Sequence, residues 1–257
     1  MRIVAGKLRG RVLDAARGAV TRPTAARVRE ALFDVLEHGL DEGLCLEGAR
    51  VLDLFAGTGA LGFEALSRGA AHVRFIDGSR QAKRAIDKNL QQLRAEDASD
   101  DQCVVSLGTL PGALRTLDVQ GPGYDLVFMD PPYAAAQLAD AVLTHPAFAP
   151  LLAPNAVIVI EGPARNDERQ NRRGGEDGRR NNDAFRLIDT RRWAEAQVRF
   201  FRFVEKSVEP LLQTPNLETP NETAQPRNRQ DVAETTQPPE QENKTETTQP
   251  GEQDETS

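Results

Sequence analysis

The stretch "VLDLFAGTGALG", residues 51–62, decides the fold class of this chain of 257 residues. Its first half is a run of apolar residues around one aspartate, which is typical of a strand buried on both faces of a sheet. Glycines at positions 57, 59 and 62 let the backbone turn tightly, approach a ligand closely and begin a helix packed against the strand. The stretch therefore predicts a strand, a glycine turn and a helix, with a nucleotide-type ligand at the turn.

Strands and helices alternate on both sides of this stretch. Continuous apolar strands separated by helical segments are typical of a parallel sheet covered by helices on both faces. The predicted strands are "ARVLDLF", "HVRFID", "QCVVSL", "YDLVFMD" and "NAVIVIEG", and the predicted helices are "ALGFEALSRG", "SRQAKRAIDKNLQQLRA", "LPGALRTL" and "AQLADAVLTH". Two further strands, "FRLIDTRRW" and "QVRFFRFVE", follow and are expected to form an antiparallel pair at the C-terminal end of the sheet.

Three regions are expected along the chain. Residues 1–48 combine a short basic hairpin with a helix, and residues 49–209 carry the sheet with a polar insertion at 164–184. Residues 210–257 form an acidic tail, and from position 213 onward the tail carries the whole net charge of −7. Because a segment with so few apolar residues cannot offset its conformational entropy by burial, we expect the tail to be disordered.

The composition excludes several classes of protein. Cys45 and Cys103 are isolated and match no metal-ligand spacing, which indicates a reducing compartment and no bound metal. No apolar segment has the length of a signal peptide or a membrane span. We therefore expect a cytoplasmic protein without membrane contact, and a monomer, because no extra apolar element suggests a subunit interface.

Two carboxylates distinguish the classes of ligand that the glycine turn could bind. Residues 57–62 satisfy the dinucleotide fingerprint, and Asp77 ends the next strand, where it can accept hydrogen bonds from ribose hydroxyls. A NAD-dependent oxidoreductase is therefore one hypothesis. However, Asp53 lies just before the turn, where a carboxylate is poorly placed beside a diphosphate. That position suits a cationic group, and it favours the amino-acid ammonium of S-adenosylmethionine.

A second motif, Asp130-Pro131-Pro132-Tyr133, ends the fourth strand, which this topology places beside the first. The prolines remove two backbone donors, end the sheet ladder and fix the path of the chain. The Asp130 carboxylate and a carbonyl of the turn can accept both hydrogens of an exocyclic amine and so orient its lone pair. Tyr133 offers a flat face on which a base can stack. The motif therefore predicts chemistry at the amino group of a base.

Basic side chains are concentrated in the first thirty residues, where eight of them stand against two acidic ones. A nucleic-acid backbone is the natural partner of such a concentration of positive charge. Because a base must be unstacked to reach Tyr133, a loop nucleotide is the expected target. The predicted RNA-binding residues are Arg2, Lys7, Arg9, Arg11, Arg22, Arg27 and Arg29.

The segments "VLDLFAGTGALGFEALSRGA", "FID" and "LVFMDPPY" together resemble class I S-adenosylmethionine-dependent amino methyltransferases. The leading "RIVAGKLRGRVL" and "TRPTAARVREALFDVL" are similar to the bacterial 16S ribosomal RNA guanine-N2 methyltransferase family, the small-subunit guanine(966) enzymes. The resemblance covers residues 1–163, and residues 185–205 match in pattern only. It implies a Rossmann-like class I methyltransferase fold and methylation of a guanine N2 in 16S ribosomal RNA, free or in an assembling small subunit.

The resemblance also implies roles for individual residues. It assigns the amine site to Asp130, Pro131, Pro132 and Tyr133. One departure concerns Gly108, which stands where related enzymes usually carry Asp or Asn near the adenine, so a backbone amide is expected to serve there instead. The residues implied for S-adenosylmethionine are Asp53, Phe55, Ala56, Gly57, Gly59, Asp77, Gly108 and Thr109.

Three alternatives stay open besides the oxidoreductase. A DNA adenine or cytosine amino methyltransferase shares the chemistry of the second motif, although it usually needs a separate base-reading domain. A methyltransferase acting on a protein glutamine amide is disfavoured by the basic N-terminal region. A non-catalytic RNA-binding assembly factor is disfavoured by the intact Asp130 and glycine turn.

Overall fold

The structure is a computed structural model, and it describes residues 1–14, 23–94, 102–117, 121–163, 184–193 and 196–205. The predicted acidic tail (210–257) lies outside the described residues, as do Arg22 and all of the predicted insertion except Ala184. Residues Met1–Glu209 belong to one compact unit. Within the described part of the chain, no helix is long and apolar enough to cross a membrane.

A seven-stranded sheet forms the centre of this unit, with the strand order β3-β2-β1-β4-β5-β7-β6. Strands β1 to β5 are parallel, and β7 runs antiparallel to both β5 and β6. The predicted α/β class with a C-terminal antiparallel pair is therefore confirmed. The strands are β1 (Arg50–Leu54), β2 (His72–Asp77), β3 (Cys103–Leu107), β4 (Tyr124–Met129), β5 (Leu152–Pro163), β6 (Phe185–Trp193) and β7 (Ala196–Phe203).

Within the described residues, four α-helices flank the sheet, and short 3-10 turns lie in the connections. The segment at residues 110–117, predicted as a helix, forms one such 3-10 turn, Gly112–Thr116. Pro111 precedes the turn, and the backbone is already extended at Leu117. The helix that starts at Pro23 continues from Val35 as a π-helical turn that ends at Gly39. The helices are α1 (Pro23–Asp34), α2 (Ala60–Ser67), α3 (Arg80–Arg94) and α4 (Gln137–Leu143).

Apolar side chains cover both faces of the sheet. On one face, α1, α2 and α3 bury aromatic rings such as Phe63 and Phe75, whose centroids lie 4.8 Å apart. On the other face, α4 and the short turns pack against Tyr124 and Phe148. Because β1, β2 and β4 are parallel neighbours, the residues that follow them meet at one edge of the sheet. We call it the carboxyl edge.

The N-terminal hairpin shares the core of the sheet and has no separate core. Residues 1–14 fold back on themselves, with the Ile3 amide donating to the Arg11 carbonyl at 2.9 Å and Leu13 to Met1 at 2.7 Å. Leu8 is buried in the same cluster as α2. The predicted division at residue 48 is therefore not a division of the hydrophobic core.

Candidate active site

A cavity of about 500 Å³ opens at the carboxyl edge of the sheet. This volume lies within the range of small-molecule sites in proteins. The turn after β1, the end of β2, the segment after β3 and the motif after β4 all contribute to its wall. The lining residues are Phe55, Gly57, Asp77, Gly78, Thr109, Leu110, Asp130, Pro131, Pro132, Tyr133 and Leu138.

The glycine turn after β1 is held in an unusual backbone conformation. Phe55 and Gly57 both have positive φ angles, of 63° and 56°, which are uncommon for residues with a side chain. At Gly62 an added Cβ would lie 2.3 Å from a ring carbon of Phe75, so the start of α2 can pack closely on β2 only with glycine there. The turn thus brings backbone, rather than side chains, to the cavity wall.

Asp53 lies behind this wall, outside the cavity lining. Its side chain is 2% exposed, and its Oδ2 accepts a hydrogen bond from the Gly62 amide at 3.0 Å. Burial, aided by the nearby charges of Asp130 and Asp77 and opposed by the Gly62 hydrogen bond, raises the pKa of Asp53 to about 7. Asp53 therefore anchors the first turn of α2 and adds negative potential to the cavity from behind.

Asp77 lines the cavity and also fixes the glycine turn. Its Oδ2 accepts a hydrogen bond from the Gly57 amide at 2.9 Å, and its Oδ1 accepts one from the Ser79 amide at 2.7 Å. Since each carboxylate oxygen can accept a second hydrogen bond, Asp77 can still bind hydroxyl groups of a ligand.

Gly108 has a different role from the one that the sequence indicated. Its amide donates to the Asp77 carbonyl at 3.0 Å, so this N–H is used to hold the end of β3 against β2. An added Cβ would lie 2.6 Å from the Ala113 Cβ, which explains the glycine by packing. The Gly108 amide is therefore not available to a ligand, and the expectation that a backbone amide serves near the adenine stays a prediction for the neighbouring residues. Thr109 and Leu110, the next two residues, line the cavity instead.

The Asp130-Pro131-Pro132-Tyr133 motif forms the opposite wall. Although Asp130 is exposed along the cavity, the protein around its carboxyl removes enough water to raise its pKa to about 6. Tyr133 is 50% exposed, so one part of its ring is open to a ligand. The arrangement presents an acceptor and an aromatic surface side by side.

Glu161 is a further acidic residue at the carboxyl edge, and it was not predicted from the sequence. Met129 and Ile160 are partners in the register of β4 and β5, so Asp130 and Glu161 are the next residues on neighbouring strands. Burial raises the pKa of Glu161 to about 7, and the charge of Asp130 adds to the shift. A sequence pattern pointed to it, because Glu161 follows the apolar run "AVIVI" just as Asp77 and Asp130 follow the apolar residues of β2 and β4.

The structure brings most of the predicted site residues together. Ala56 and Gly59 lie behind the wall with Asp53, and the Ala56 amide donates to the Ile76 carbonyl at 3.1 Å. No sequence motif contains Gly78 or Leu138, so their position in the cavity wall could not be predicted. No group of three or more His, Cys, Asp or Glu side chains is arranged to hold a metal ion in the described ranges.

Arg29 is a structural residue, and the prediction that it contacts RNA is wrong. It is 5% exposed, and its Nε lies 3.3 Å from a carboxylate oxygen of the fully buried Glu64. Its Nη2 donates to the Arg2 carbonyl at 2.6 Å. An arginine held in this way fastens the hairpin to α2, and it has no surface to offer a phosphate.

The other described basic residues of the N-terminal region are exposed but not equally near the cavity. The Lys7 amide donates to the carbonyl of Ser67, the last residue of α2, and Lys7 lies beside Gly48 and Gly69. Eight helical residues span about 12 Å, so Lys7 is separated from the glycine turn by the length of α2. The exposed basic residues are Arg2, Lys7, Arg9, Arg11 and Arg27.

Comparison with known proteins identifies the family of this chain. A family model described as "Conserved hypothetical protein 95" matches residues 1–189, which include the hairpin and both motifs. The chain belongs to this family. It is similar to ribosomal RNA small subunit methyltransferase D of Haemophilus influenzae, with 37% identity over 161 residues, 63% of this chain and 78% of the relative.

Two further proteins support the family and the fold. A candidate rRNA methyltransferase of Bacillus subtilis, YlbH, is 37% identical over 144 residues, 56% of this chain and 72% of the relative. The solved structure of the candidate methyltransferase yhhF from Escherichia coli is 29% identical, with a TM-score of 0.60 over 79% of this chain and 98% of that chain. The predicted family and the class I methyltransferase fold are thereby confirmed.

Proposed function

We propose that this protein transfers a methyl group from S-adenosylmethionine to the exocyclic N2 of a guanine in small-subunit ribosomal RNA. The observation that carries the proposal is the single cavity of about 500 Å³, which joins the glycine turn and Asp77 to the Asp130-Pro131-Pro132-Tyr133 motif. Names of relatives in the same family support ribosomal RNA as the substrate. The guanine N2 position rests on the sequence resemblance and on the amine-binding chemistry of Asp130.

The residues of the cavity fit S-adenosylmethionine. Gly57 and Gly78 leave backbone at the wall, so a ligand can approach closely, and Asp77 has acceptor capacity for ribose hydroxyls. The negative potential from Asp53 and Asp130 suits a ligand that carries an ammonium and a sulfonium group. When bound, this cofactor supplies an electrophilic methyl group.

Asp130 and Tyr133 would position the acceptor base. The Asp130 carboxylate accepts hydrogens of the amine and turns its lone pair towards the cofactor side of the cavity. As the new nitrogen–carbon bond forms, the bond from the methyl group to the cofactor sulfur would break and leave a neutral thioether. The amine would become positively charged, the Asp130 carboxylate would stabilise that charge, and the amine proton would pass to this carboxylate and then to solvent. The half-exposed ring of Tyr133 is available to stack on a base turned out of its RNA helix.

The exposed arginines of the hairpin supply a surface for the RNA backbone. Arg2, Arg9 and Arg11 are exposed on a hairpin that is fastened to α2, the helix that starts at the glycine turn. We propose that they bind phosphates flanking the target nucleotide, while Lys7 contacts RNA farther from the cavity.

The test is methyl transfer with labelled S-adenosylmethionine to three acceptors: deproteinised small-subunit RNA, small subunits from cells lacking this gene, and duplex DNA. Nucleoside mass spectrometry should find N2-methylguanosine in the RNA or the subunits, and the Asp130→Ala variant should form it far more slowly. Methyladenine or methylcytosine in the DNA would overturn the proposal in favour of a DNA enzyme. Cofactor binding without product on any acceptor would favour a non-catalytic factor.

A further inference from the structure

Asn89 is a buried polar residue that neither predicted motif contains. It lies on α3, is 0% exposed, and uses both ends of its side-chain amide. Its Oδ1 accepts a hydrogen bond from the Asp14 amide at 2.7 Å, and its Nδ2 donates to the Asp14 carbonyl at 3.3 Å. The same Nδ2 donates to the Thr58 carbonyl at 3.2 Å.

These partners are backbone groups of two segments with different tasks. Thr58 lies between Gly57 and Gly59 in the glycine turn, whereas Asp14 is the last described residue of the N-terminal hairpin. Asparagine suits this position because its amide carries both a donor and an acceptor, and so can pair with the N–H and C=O of one residue. Asn89 therefore ties the end of the hairpin to the turn that forms part of the cofactor wall.

The other connection of the hairpin runs to α2 and bypasses the turn. The Ser67 hydroxyl accepts a hydrogen bond from the Leu8 amide at 2.9 Å and donates to the Ala5 carbonyl. Both of these partners belong to the hairpin. Ser67 thus provides a comparison residue that holds the hairpin without touching Thr58.

We propose that Asn89 is a positioning residue that couples the hairpin to the cofactor site. The inference rests on the proposed function, because it takes the glycine turn as the S-adenosylmethionine site and the hairpin as an RNA contact. A ligand that orders the turn also orders the hairpin through Asn89, and RNA bound on the hairpin favours the binding-competent turn. Such coupling acts equally in both directions.

Two variants that break hydrogen bonds of Asn89 and two control variants that keep them test the proposal. Asn89→Asp is nearly isosteric, but its carboxylate cannot donate to the Thr58 and Asp14 carbonyls. Asp14→Pro removes the N–H that Asn89 accepts, whereas Asp14→Ala keeps the backbone groups and loses only the side-chain ion pair with Lys88. Ser67→Ala removes the hydrogen bonds from Ser67 to Leu8 and Ala5 of the hairpin and leaves the contacts of Asn89 in place.

The first readout is S-adenosylmethionine affinity measured by calorimetry on folded variants, with and without small-subunit RNA. Loss of a buried hydrogen bond commonly costs on the order of a kcal/mol, so Asn89→Asp should weaken binding about 5- to 10-fold. Asp14→Pro should weaken it in the same direction, and Asp14→Ala and Ser67→Ala should stay within about twofold of the unaltered protein. RNA should strengthen cofactor binding in the unaltered protein and not in Asn89→Asp.

The second readout is amide hydrogen exchange, which needs no catalysis. Cofactor should slow exchange in residues 2–14 of the unaltered protein, and this effect should vanish in Asn89→Asp. Unchanged affinity and unchanged exchange in both Asn89→Asp and Asp14→Pro would overturn the coupling while leaving the proposed function intact. If the unaltered protein bound no S-adenosylmethionine, the proposed function itself would fail.

Discussion

Glu64 and Asp53 are both carboxylates with almost no exposure to solvent, but the protein surrounds them in opposite ways. Glu64 accepts hydrogen bonds from the Val4 and Ala5 amides at 2.8 and 2.9 Å and forms ion pairs with Arg29 and Arg68 at 3.3 and 3.2 Å. At the carboxyl edge, Asp53 has other carboxylates as its charged neighbours.

The difference separates two regions. The surroundings of Glu64 stabilise the fold, whereas the carboxyl edge around Asp53 is suited to binding a ligand. A buried charge that is fully paired contributes to a unique arrangement of the hairpin, α1 and α2. A buried charge among like charges costs stability unless a cation arrives, and such sites cluster where proteins bind ligands. Five predictions test this contrast, in order of expected effect.

Glu64→Gln should cause the largest effect, a loss of about 3–5 kcal/mol in the free energy of unfolding, because Arg29 and Arg68 lose the charge that compensates them. Urea unfolding followed by circular dichroism measures it. A loss below about 1 kcal/mol would show that water or another group replaces the carboxylate, and the contrast with Asp53 would disappear.

Asp130→Ala should slow single-turnover methyl transfer by about two to three decades, or roughly 2–4 kcal/mol in the barrier, since a positioned acceptor is lost from the transition state. Stability at neutral pH should not fall, because the carboxylate that is removed is partly desolvated, as its raised pKa of about 6 shows. Near-normal turnover would show that the amine is held elsewhere.

Tyr133 provides the control for the same site. Tyr133→Ala should be as harmful as Asp130→Ala, whereas Tyr133→Phe should keep much of the activity, because stacking needs the ring and not the hydroxyl. Equal loss in both Tyr133 variants would mean that the hydroxyl takes part in the reaction.

Asp77→Ala should weaken S-adenosylmethionine binding by roughly 1–3 kcal/mol, because ribose hydroxyls lose their acceptor and the Gly57 amide loses its partner. Isothermal calorimetry gives the affinity directly. The matched control is Asp87→Ala, which removes an exposed carboxylate of α3 that pairs with Lys83. Equal affinities in the two variants would remove Asp77 from the cofactor site.

Asp53→Asn should have the smallest effect and the opposite sign to Glu64→Gln, a gain of about 1 kcal/mol in stability at pH 8, because the buried charge is removed. The folded-state pKa of Asp53 is raised to about 7 from 3.8, so the folded protein holds the proton more tightly than the unfolded chain. Its contribution to stability is therefore present below pH 4 and is lost as the pH rises to about 7. Unfolding curves between pH 5 and 8 should show the gain shrinking at the acidic end.

Local patterns were sufficient for the sheet and for most of the cavity. Continuous apolar strands followed by helices predicted five parallel strands. The two motifs contain six of the cavity-lining residues, namely Phe55, Gly57 and the four residues Asp130 to Tyr133. Glu161 could have been predicted by the same reasoning, because it directly follows the apolar run of its strand as Asp77 follows the apolar residues of β2. Gly78 and Leu138 could not have been predicted in this way, because they line the cavity only as a result of how the surrounding segments pack.

The acidic and basic residues show where sequence reasoning stops. Arg29 and Arg9 are both arginines of a basic segment, yet one is buried against Glu64 and the other is exposed. The spacing of charges along the chain cannot separate them, because the partner of Arg29 lies 35 residues away on another helix. The same limit applies to Gly108, whose amide donates to the carbonyl of Asp77 on a neighbouring strand.

The sequence by itself determined the alternation of strands and helices, the glycine turn and the Asp130-Pro131-Pro132-Tyr133 motif, because these depend on neighbours along the chain. Only the tertiary structure decided which charges are compensated and which are left facing the cavity. Glu64 and Asp53 differ through residues brought from distant segments, and the free energy of a buried charge depends on those neighbours and on the water that they exclude. The tie from Asn89 to Asp14 and Thr58 exists for the same reason, because packing of α3 brings three segments to one point.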